Sequence, residues 1–274
     1  MAILADSHVH TTFSGDGKST MEEQIERAIE LGLRTITFTD HEDMDFPYRK
    51  EDDPGMFELN ADAYLYDLLR CKAKYEDRIR VLFGVELGLQ PQIETVKKNL
   101  IFVREHEYDF IIASSHLCHG RDPYFPEFFE GRSETEAHRE YFESILENIK
   151  VFSNFDVYGH LDYVVRYGPG KDNEYSYEKH ADILDEILRW LIENEKGIEI
   201  NTGGPRRGLI DNNPCRRIVE RYKELGGEII TIGSDAHEKG DLGYHFDEVA
   251  EMLKDIGYSY YAVYENRLPE FFRL

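Results

Sequence analysis

The chain has 274 residues, of which 55 are acidic and 32 are basic, so its formal net charge is −23. Hydrophobic residues make up 41% of the sequence and aromatic residues 13%, which excludes an intrinsically disordered chain. The acidic balance excludes a sequence-independent grip on nucleic acid or an anionic membrane, since lysine and arginine supply that attraction. The longest stretch without Asp, Glu, Lys or Arg, residues 110–120, is far shorter than the roughly 20 residues of a membrane-spanning helix.

The cysteines and the first residues of the chain predict a cytoplasmic protein. Cys71, Cys118 and Cys215 are scattered and form no CxxC pair, as expected where thiols stay reduced. The beginning of the sequence has no basic segment followed by an apolar run, so no signal peptide is predicted.

Seven short apolar or β-branched runs are predicted to be strands, and the segments between them are predicted to be helices. The strands are residues 2–7, 35–39, 80–86, 110–115, 157–160, 197–201 and 229–234. Apolar side chains recur at helical spacing between the strands, most clearly over residues 183–192. A capping box formed by Thr20 and Glu23, together with Gly32, predicts the two ends of the first helix.

The alternation of strands and helices predicts parallel strands joined by helical crossovers. A barrel of this kind typically needs ~250 residues, so we predict one α/β domain over residues 1–274 that forms a closed or distorted TIM-like barrel. An open doubly wound sheet is the alternative fold. The apolar run at 260–264 is predicted to be either a closing strand or a tail packed against the barrel.

The functional site is predicted at the C-terminal ends of the strands, because the loops that follow the strands build the active site in α/β barrels. Four such loops are long, at residues 42–59, 117–133, 166–175 and 202–213, whereas the helix-to-strand links are short. Six of the seven predicted strands end in histidine, aspartate or glutamate. These residues are Asp6, His8, His10, Asp40, His41, Glu86, His116, His160, Asp162, Asp235 and His237.

The spacing of these residues predicts a metal site. His8 and His10 are two residues apart, so on an extended segment both side chains point to the same face, and the same holds for Asp235 and His237. Buried strand ends with this many polar groups would otherwise leave charge uncompensated. Imidazole and carboxylate ligands together suit Zn, Mn or Fe.

The motifs at the strand ends, taken in order, resemble the PHP (polymerase and histidinol phosphatase) superfamily. They are DSHVH at 6–10, TDH at 39–41, GVE at 84–86, SH at 115–116, GH at 159–160 and SDAH at 234–237. The segments GHLDYVVR at 159–166, EINTGGPR at 199–206 and GSDAH at 233–237 resemble its histidinol-phosphatase branch. The resemblance covers nearly the whole chain and implies a distorted (β/α)7 barrel, in agreement with the seven predicted strands.

The resemblance also implies three divalent metal ions. The first ion is bound by His8, His10 and Asp235, the second by His116 and His160 with Glu86 bridging the two, and the third by His41, His237 and Asp16. Many members of the superfamily have histidine at the position of Asp16. The oxygen ligand here favours a harder ion, such as Mn or Fe, at the third position.

The resemblance implies a metal-dependent phosphatase of histidine biosynthesis that hydrolyses L-histidinol phosphate through attack of a metal-bridging hydroxide on phosphorus. A PHP phosphoesterase acting on nucleotides or another small phosphate monoester is the alternative. An amidohydrolase is disfavoured because no lysine lies near the end of the fourth strand, and a non-catalytic PHP module because no ligand is missing. The predicted partner is therefore a small-molecule phosphate monoester, with neither nucleic acid nor membrane.

A net charge of −23 repels a phosphate dianion, so local positive charge is needed at the site. Arg166 and Arg206 follow strand ends and are predicted to bind phosphate through their guanidinium groups, with Arg207 as the alternative to Arg206. Asp40 and Asp162 are candidates for the general acid that protonates the leaving alkoxide, or for orienting a ligand histidine.

Four further polar residues have no predicted part in metal or phosphate binding. Glu199 and Asn201 share one face of the sixth predicted strand, where they either line the pocket or fill the barrel interior. His138 and His180 lie in helical or helix-end segments and are predicted to be solvated surface residues.

Overall fold

The structure is a computed structural model that describes residues 2–274. Its strands and helices alternate along the chain. In order they are β1 (Ala5–Val9), α1 (Met21–Leu31), β2 (Thr35–Phe38), β3 (His41–Glu42), α2 (Ala61–Tyr75), β4 (Arg80–Gly88), α3 (Ile93–Glu105), β5 (Phe110–Ser114), α4 (Glu134–Val151), β6 (Val157–Tyr158), α5 (Ala181–Glu193), β7 (Gly197–Asn201), α6 (Gly203–Arg206), α7 (Arg216–Glu224), β8 (Ile230–Gly233), α8 (Phe246–Ile256), β9 (Tyr260–Glu265) and β10 (Leu268–Arg273).

Seven strands pair in the order β1-β2-β4-β5-β6-β7-β8, and β3 pairs with β4 as an eighth strand. All of these pairings are parallel. The two outer strands meet where Asp235 N donates to His8 O (2.9 Å) and His10 N donates to Ala236 O (3.0 Å). This nearly closed barrel confirms the predicted distorted TIM-like fold, and the open doubly wound sheet is excluded.

The barrel strands are buried over nearly their whole length, because parallel strands with helices outside are covered on both faces. Their predicted bounds are confirmed to within a few residues, and those of β7 agree at both ends. The strand β3 was not predicted. It forms because His41 and Glu42 pair with Glu86 and Leu87 of β4. A two-residue segment is too short to show the alternating pattern from which a strand could be predicted.

The helices cover the barrel with their apolar faces. The buried residues of α5 include Ile183, Leu184, Ile187, Leu188 and Leu191, as their spacing predicted. The predicted capping box of α1 is confirmed, since Thr20 Oγ1 accepts from Glu23 N and the Glu23 carboxylate accepts from Thr20 N. Gly32 ends this helix at φ 78°, a left-handed conformation that glycine adopts without strain. No helix within residues 2–274 combines the length and apolar character needed to cross a membrane.

β9 and β10 form an antiparallel hairpin outside the barrel, and the run at 260–264 lies in its first strand. Tyr261 Oη accepts a hydrogen bond from Leu4 N (3.1 Å), and Tyr264 stacks on Phe110 with ring centroids 5.1 Å apart. Leu4 precedes β1 and Phe110 begins β5. The hairpin therefore covers the N-terminal end of the barrel, opposite the predicted site.

The prediction that His138 and His180 are solvated is wrong, because both side chains are fully buried. His138 lies in α4 and His180 immediately precedes α5, with their ring centroids 6.0 Å apart. None of the four ring nitrogens has a hydrogen-bond partner among residues 2–274. Burial lowers the pKa of His138 to about 3 and that of His180 to about 4, so both rings are neutral at neutral pH.

We expect acid to destabilise the protein through these two rings. Because their folded-state pKa values lie below the ordinary 6.5, the unfolded chain binds protons more tightly, and the free energy of unfolding falls as the pH drops below about 6.5. When the pH is lowered from about 7.5 to about 5, the free energy of unfolding of His138→Leu should fall by about 2 kcal/mol less than that of the wild type. Urea unfolding at the two pH values measures this difference. The matched control is His106→Leu, at a partly exposed ring. An equal pH dependence in all three proteins would contradict the role of His138.

Candidate metal centre

Glu86 lies at the centre of a buried cluster of imidazoles at the C-terminal ends of the strands. Its strand, β4, runs between β3 and β5, and its side chain is fully buried. Five imidazole nitrogens lie 2.7–3.4 Å from its two carboxylate oxygens. They belong to His8, His10, His41, His116 and His160. One carboxylate thus faces imidazoles from four separate strand ends.

The orientation of His8 and His10 fits a cation bound by both rings. His8 Nδ1 lies 2.6 Å from Glu199 Oε1, and His10 Nδ1 lies 3.3 Å from Ser14 Oγ, so each Nδ1 is the nitrogen that donates. The two Nε2 atoms are only 3.0 Å apart. With the hydrogens on Nδ1, both Nε2 lone pairs face the same point, as two ligand atoms of one shared cation do. This set of imidazole and carboxylate donors fits Zn, Mn or Fe.

The remaining predicted ligands lie on the His10 side of the cluster. Asp235 Oδ1 is 3.4 Å from His10 Nε2, and the His237 ring stacks on that of His10 with centroids 4.1 Å apart. Asp16 Oδ2 is 3.1 Å from His237 Nε2, and its other oxygen is 3.9 Å from His41 Nε2. The Asp16 side chain is 41% exposed, so it marks the open side of the centre.

The structure brings all nine predicted metal ligands into this one cluster. Three groups within it have ligand atoms that all lie within 4.8 Å of one another. They are His8–His10–Asp235, His10–His41–His237 and His41–Glu86–His116. The first group agrees with the ligand set that the family resemblance implies, whereas the other two combine the residues differently. The division of ligands among individual ions stays a prediction.

Asp43, which was not predicted, orients His116. Its two carboxylate oxygens lie 2.9 and 3.0 Å from His116 Nδ1, which leaves Nε2 directed at Glu86 Oε1 at 3.2 Å. Such an outer carboxylate fixes the tautomer and the angle of a ligand histidine. Nothing in the sequence spacing links Asp43 to His116, because the contact depends on the course of the loop that follows β3.

Glu199 fills the barrel interior beneath the cluster, which is one of its two predicted roles. One oxygen binds His8 Nδ1, and the other accepts from the backbone N–H of His160 (3.0 Å) and from Asn201 Nδ2 (3.2 Å). Its side chain is buried. Glu199 therefore connects the first strand of the barrel to the ends of β6 and β7.

The two candidates for the general acid accept hydrogen bonds from neighbouring loops. Asp40 accepts from the backbone N–H and hydroxyl groups of Thr11 and Ser14 at 2.6–3.0 Å. Asp162 accepts from Asn213 Nδ2 at 2.6 Å and from a backbone N–H at 2.8 Å. Burial raises the pKa of Asp162 to about 6. These contacts favour an orienting role for both carboxylates, and the general-acid role stays a prediction.

Arg166 is buried against the cluster. Its Nη1 donates to Asp235 Oδ2 at 3.0 Å, while Nη2 donates to Asn201 Oδ1 and Nε to Asn213 Oδ1, both at 2.7 Å. A guanidinium carries five N–H groups, so two are left for a further acceptor. Arg166 is therefore held rigidly beside Asp235 with donor capacity to spare.

Arg206 lies closer to the cluster than its neighbour. Its Nη2 donates to the backbone carbonyls of Ser234 (2.8 Å) and Asp235 (2.9 Å), which hold the end of β8 in place. Arg207 is exposed. This geometry favours Arg206 over Arg207 as the predicted phosphate contact, which itself stays a prediction.

We expect Arg206→Ala to weaken substrate binding by about tenfold or more, because charge-assisted bonds to phosphate contribute about 1.5–3 kcal/mol. The steady-state KM for a phosphate monoester, measured at fixed metal content, reports this change. Arg207→Ala is the matched control and should leave KM within about twofold of the wild type. If Arg207→Ala raised KM more than Arg206→Ala did, the phosphate contact would be assigned to Arg207 instead.

Charges within the cluster shift the pKa values of its members. Although burial opposes protonation, the Glu86 carboxylate raises the pKa of His41 to about 9. Burial alone would raise the pKa of Asp16, but its bond to His237 and the charge of His41 outweigh burial and lower it. Protons and cations compete for the same ring nitrogens. The affinity for metal is therefore expected to decrease as the pH is lowered.

A nearly closed barrel whose strand ends carry converging carboxylates and imidazoles defines a protein that binds divalent metal at its C-terminal face. The family model for the PHP domain matches residues 6–203. The chain therefore belongs to the PHP family, which confirms the resemblance carried by its motifs.

The curated relatives match this chain over most of its length. The histidinol-phosphatase of Lactococcus lactis subsp. lactis is 33% identical, over 95% of this chain and 94% of the relative. The probable histidinol-phosphatase of Clostridium acetobutylicum is 31% identical, over 92% of this chain and 94% of the relative. The crystal structure of the histidinol phosphate phosphatase from L. lactis, complexed with Zn, L-histidinol and phosphate, superposes with a TM-score of 0.86. It is 31% identical in sequence and covers 97% of this chain and 98% of that one.

Proposed function

We propose that this protein is a divalent-metal-dependent phosphatase that hydrolyses L-histidinol phosphate to L-histidinol and inorganic phosphate. The convergence of nine imidazoles and carboxylates, with Glu86 at their centre, carries the proposal, because it creates a compact site for several cations at the barrel mouth. The Lactococcus relative is named a histidinol-phosphatase, and its structure contains Zn, L-histidinol and phosphate. These relatives support the same substrate here.

Three divalent ions, Zn, Mn or Fe, are proposed for the cluster. His8, His10 and Asp235 would hold one ion, His116 and His160 another with Glu86 between the two, and His41, His237 and Asp16 the third. Divalent cations supply charge neutralisation for phosphoryl oxygens and make water a stronger acid. The oxygen ligand Asp16 favours Mn or Fe in the third position.

The chain's own residues position the substrate and the ligands. Arg166 and Arg206 are proposed to bind the phosphoryl oxygens, and their bonds to Asp235 hold both groups at the edge of the cluster. Asp162 acts through Asn213, which accepts from Arg166 Nε while donating to Asp162. Asp162 thereby sets the direction of the guanidinium.

Asp40 is proposed to act in the same indirect manner. It accepts from the Ser14 hydroxyl, whose oxygen is then free to accept from His10 Nδ1. This series of hydrogen bonds keeps the His10 Nε2 lone pair turned toward the centre of the cluster. We therefore assign Asp40 and Asp162 to positioning rather than to direct proton transfer.

Phosphate release from a panel of monoesters tests the function. The purified protein, reconstituted with Mn, Zn or Fe, would be offered L-histidinol phosphate, nucleoside monophosphates and glycerol phosphate. We expect L-histidinol phosphate to have the highest kcat/KM. Preference for a nucleotide would favour a PHP nucleotide phosphoesterase, and the absence of phosphate release from every ester would refute phosphatase activity.

A further inference from the structure

A second group of possible metal ligands lies outside the cluster that contains Glu86, where the loop after β5 meets the side of α4. Cys118 and His119 lie in this loop, and Glu140 lies in α4. The Cys118 sulfur, a His119 ring nitrogen and a Glu140 oxygen all lie within 4.8 Å of one another. None of the nine predicted ligands belongs to this group, and among the ligand groups within residues 2–274 it alone contains a thiol.

The distances within this group are close to those of a tetrahedral zinc site. His119 Nδ1 is 4.0 Å from Cys118 Sγ and 3.2 Å from Glu140 Oε1. Zinc binds sulfur at about 2.3 Å and nitrogen or oxygen at about 2.0–2.1 Å, so the ligand atoms of one tetrahedral ion lie about 3.3–3.6 Å apart. Both measured distances therefore need only small side-chain movements to suit one ion, and water can take the fourth position.

Glu147 provides the outer carboxylate that metal-binding histidines usually have. Its Oε2 lies 2.9 Å from His119 Nε2, the ring nitrogen that is not directed at Cys118. A carboxylate in this position accepts a hydrogen bond from one ring N–H and leaves the lone pair of the other nitrogen for a cation. Asp43 orients His116 in the same way. The position of Glu147 is thus a second, independent indication that His119 Nδ1 faces a metal ion.

The two arginines that donate to Glu140 leave room for an ion. Arg132 donates to Oε2 and Arg121 donates to Oε1. Each carboxylate oxygen has two lone pairs, so Oε1 can bind a cation and still accept from one N–H group. The Arg121 side chain is 46% exposed and can also turn toward solvent. Glu147 and the thiolate that forms on metal binding bring negative charge, which offsets the repulsion between the ion and the guanidinium groups.

We propose that Cys118, His119 and Glu140 bind one zinc ion, separate from the ions of the cluster that contains Glu86. A thiolate, an imidazole and a carboxylate together are ligands that zinc prefers, and the thiol releases its proton to solvent when the ion binds. The net charge of −23 raises the local concentration of divalent cations at the surface. The ion fastens the loop after β5 to α4, and its binding does not depend on the proposed function.

Titration with Co²⁺ tests the site, because a thiolate bound to Co²⁺ gives a strong near-ultraviolet band that imidazole and carboxylate ligands do not give. The purified protein is dialysed against a chelator and then titrated with Co²⁺ alone. We expect the thiolate band in the wild type and its loss in Cys118→Ser. His119→Ala, at an exposed side chain, keeps the thiol and should need about tenfold more Co²⁺ or higher to develop the band. The matched control is Cys71→Ser, at a buried thiol in α2, which should behave as the wild type.

A wild-type protein without a thiolate band would overturn the zinc site. So would a band that persists in Cys118→Ser or one that disappears in Cys71→Ser. An unchanged Co²⁺ requirement in His119→Ala would also overturn it, and this variant decides the question if circular dichroism shows that Cys118→Ser does not fold. Failure of the proposed function is a separate result, because it is read from phosphate release and not from the band.

Discussion

Glu86→Gln is expected to reduce phosphate release by about a thousandfold or more and to lower the metal content of the protein. Glutamine preserves the shape of the side chain but removes the negative charge that faces five imidazoles at 2.7–3.4 Å. An amide also cannot bridge two cations as a carboxylate does. Elemental analysis of the purified variant, together with phosphate release from L-histidinol phosphate, measures both effects.

Glu42→Gln is the matched control for this substitution. Glu42 is a buried carboxylate in the neighbouring strand β3, and burial raises its pKa to about 8, so it is already mostly protonated at neutral pH. The hydrogen bond from Leu59 N to its Oε2 can equally be accepted by an amide oxygen. We expect full metal content and activity within about twofold of the wild type. Normal metal binding by Glu86→Gln would contradict the central position of Glu86.

Asp235→Asn is the second substitution with a large expected effect, with turnover falling by about 100-fold or more. Asp235 has a left-handed backbone at φ 56°, which asparagine tolerates well, so the barrel is expected to fold. The lost charge faces His10 Nε2 at 3.4 Å and Arg166 Nη1 at 3.0 Å. Metal content should fall while the circular dichroism spectrum stays that of the wild type.

Asp45→Asn provides a control with the same chemical change and nearly the same backbone. Asp45 has φ 60° and lies in the loop after β3, where its carboxylate pairs with Lys98 on the surface. This variant should bind metal and turn over substrate normally, because exposed ion pairs contribute little. If Asp235→Asn behaved in the same way as Asp45→Asn, the ligand assignment of Asp235 would be wrong.

The ligands at strand ends could be predicted because strand geometry leaves few choices. Side chains alternate along a strand, and parallel strands end at one rim, so His8, His10 and Glu86 had to meet once the barrel was recognised. The ends of the first helix could be predicted equally well, since the capping box at Thr20 is a local sequence pattern. Asp16 was found through the family resemblance alone.

Contacts that depend on loop conformation could not be predicted. Asp43 orients His116 across 73 residues of sequence, and only the course of a long loop brings them together. The choice between Arg206 and Arg207 likewise depends on the rotation of a four-residue helix, which adjacent positions in a sequence do not reveal.

The burial of His138 could have been recognised. It shares one face of α4 with Tyr141, Phe142 and Ile145, at the spacing of a core-facing helix. The polar character of histidine concealed this pattern, because a ring without hydrogen-bond partners is rare in a protein interior. Position along the helix was the better guide than residue type.

The seam between β1 and β8 joins segments from opposite ends of the chain. Ser234 N donates to Asp6 Oδ1 across 228 positions, and ligands lie on both sides of this junction. Pairing such distant segments is slow, because a long stretch of polypeptide must be ordered before they meet. Binding of metal ions by the complete ligand cluster is therefore expected only after β8, the last barrel strand, has paired with β1. A metal-sensitive dye mixed with refolding protein would time the end of assembly, whereas helix formation would be complete earlier.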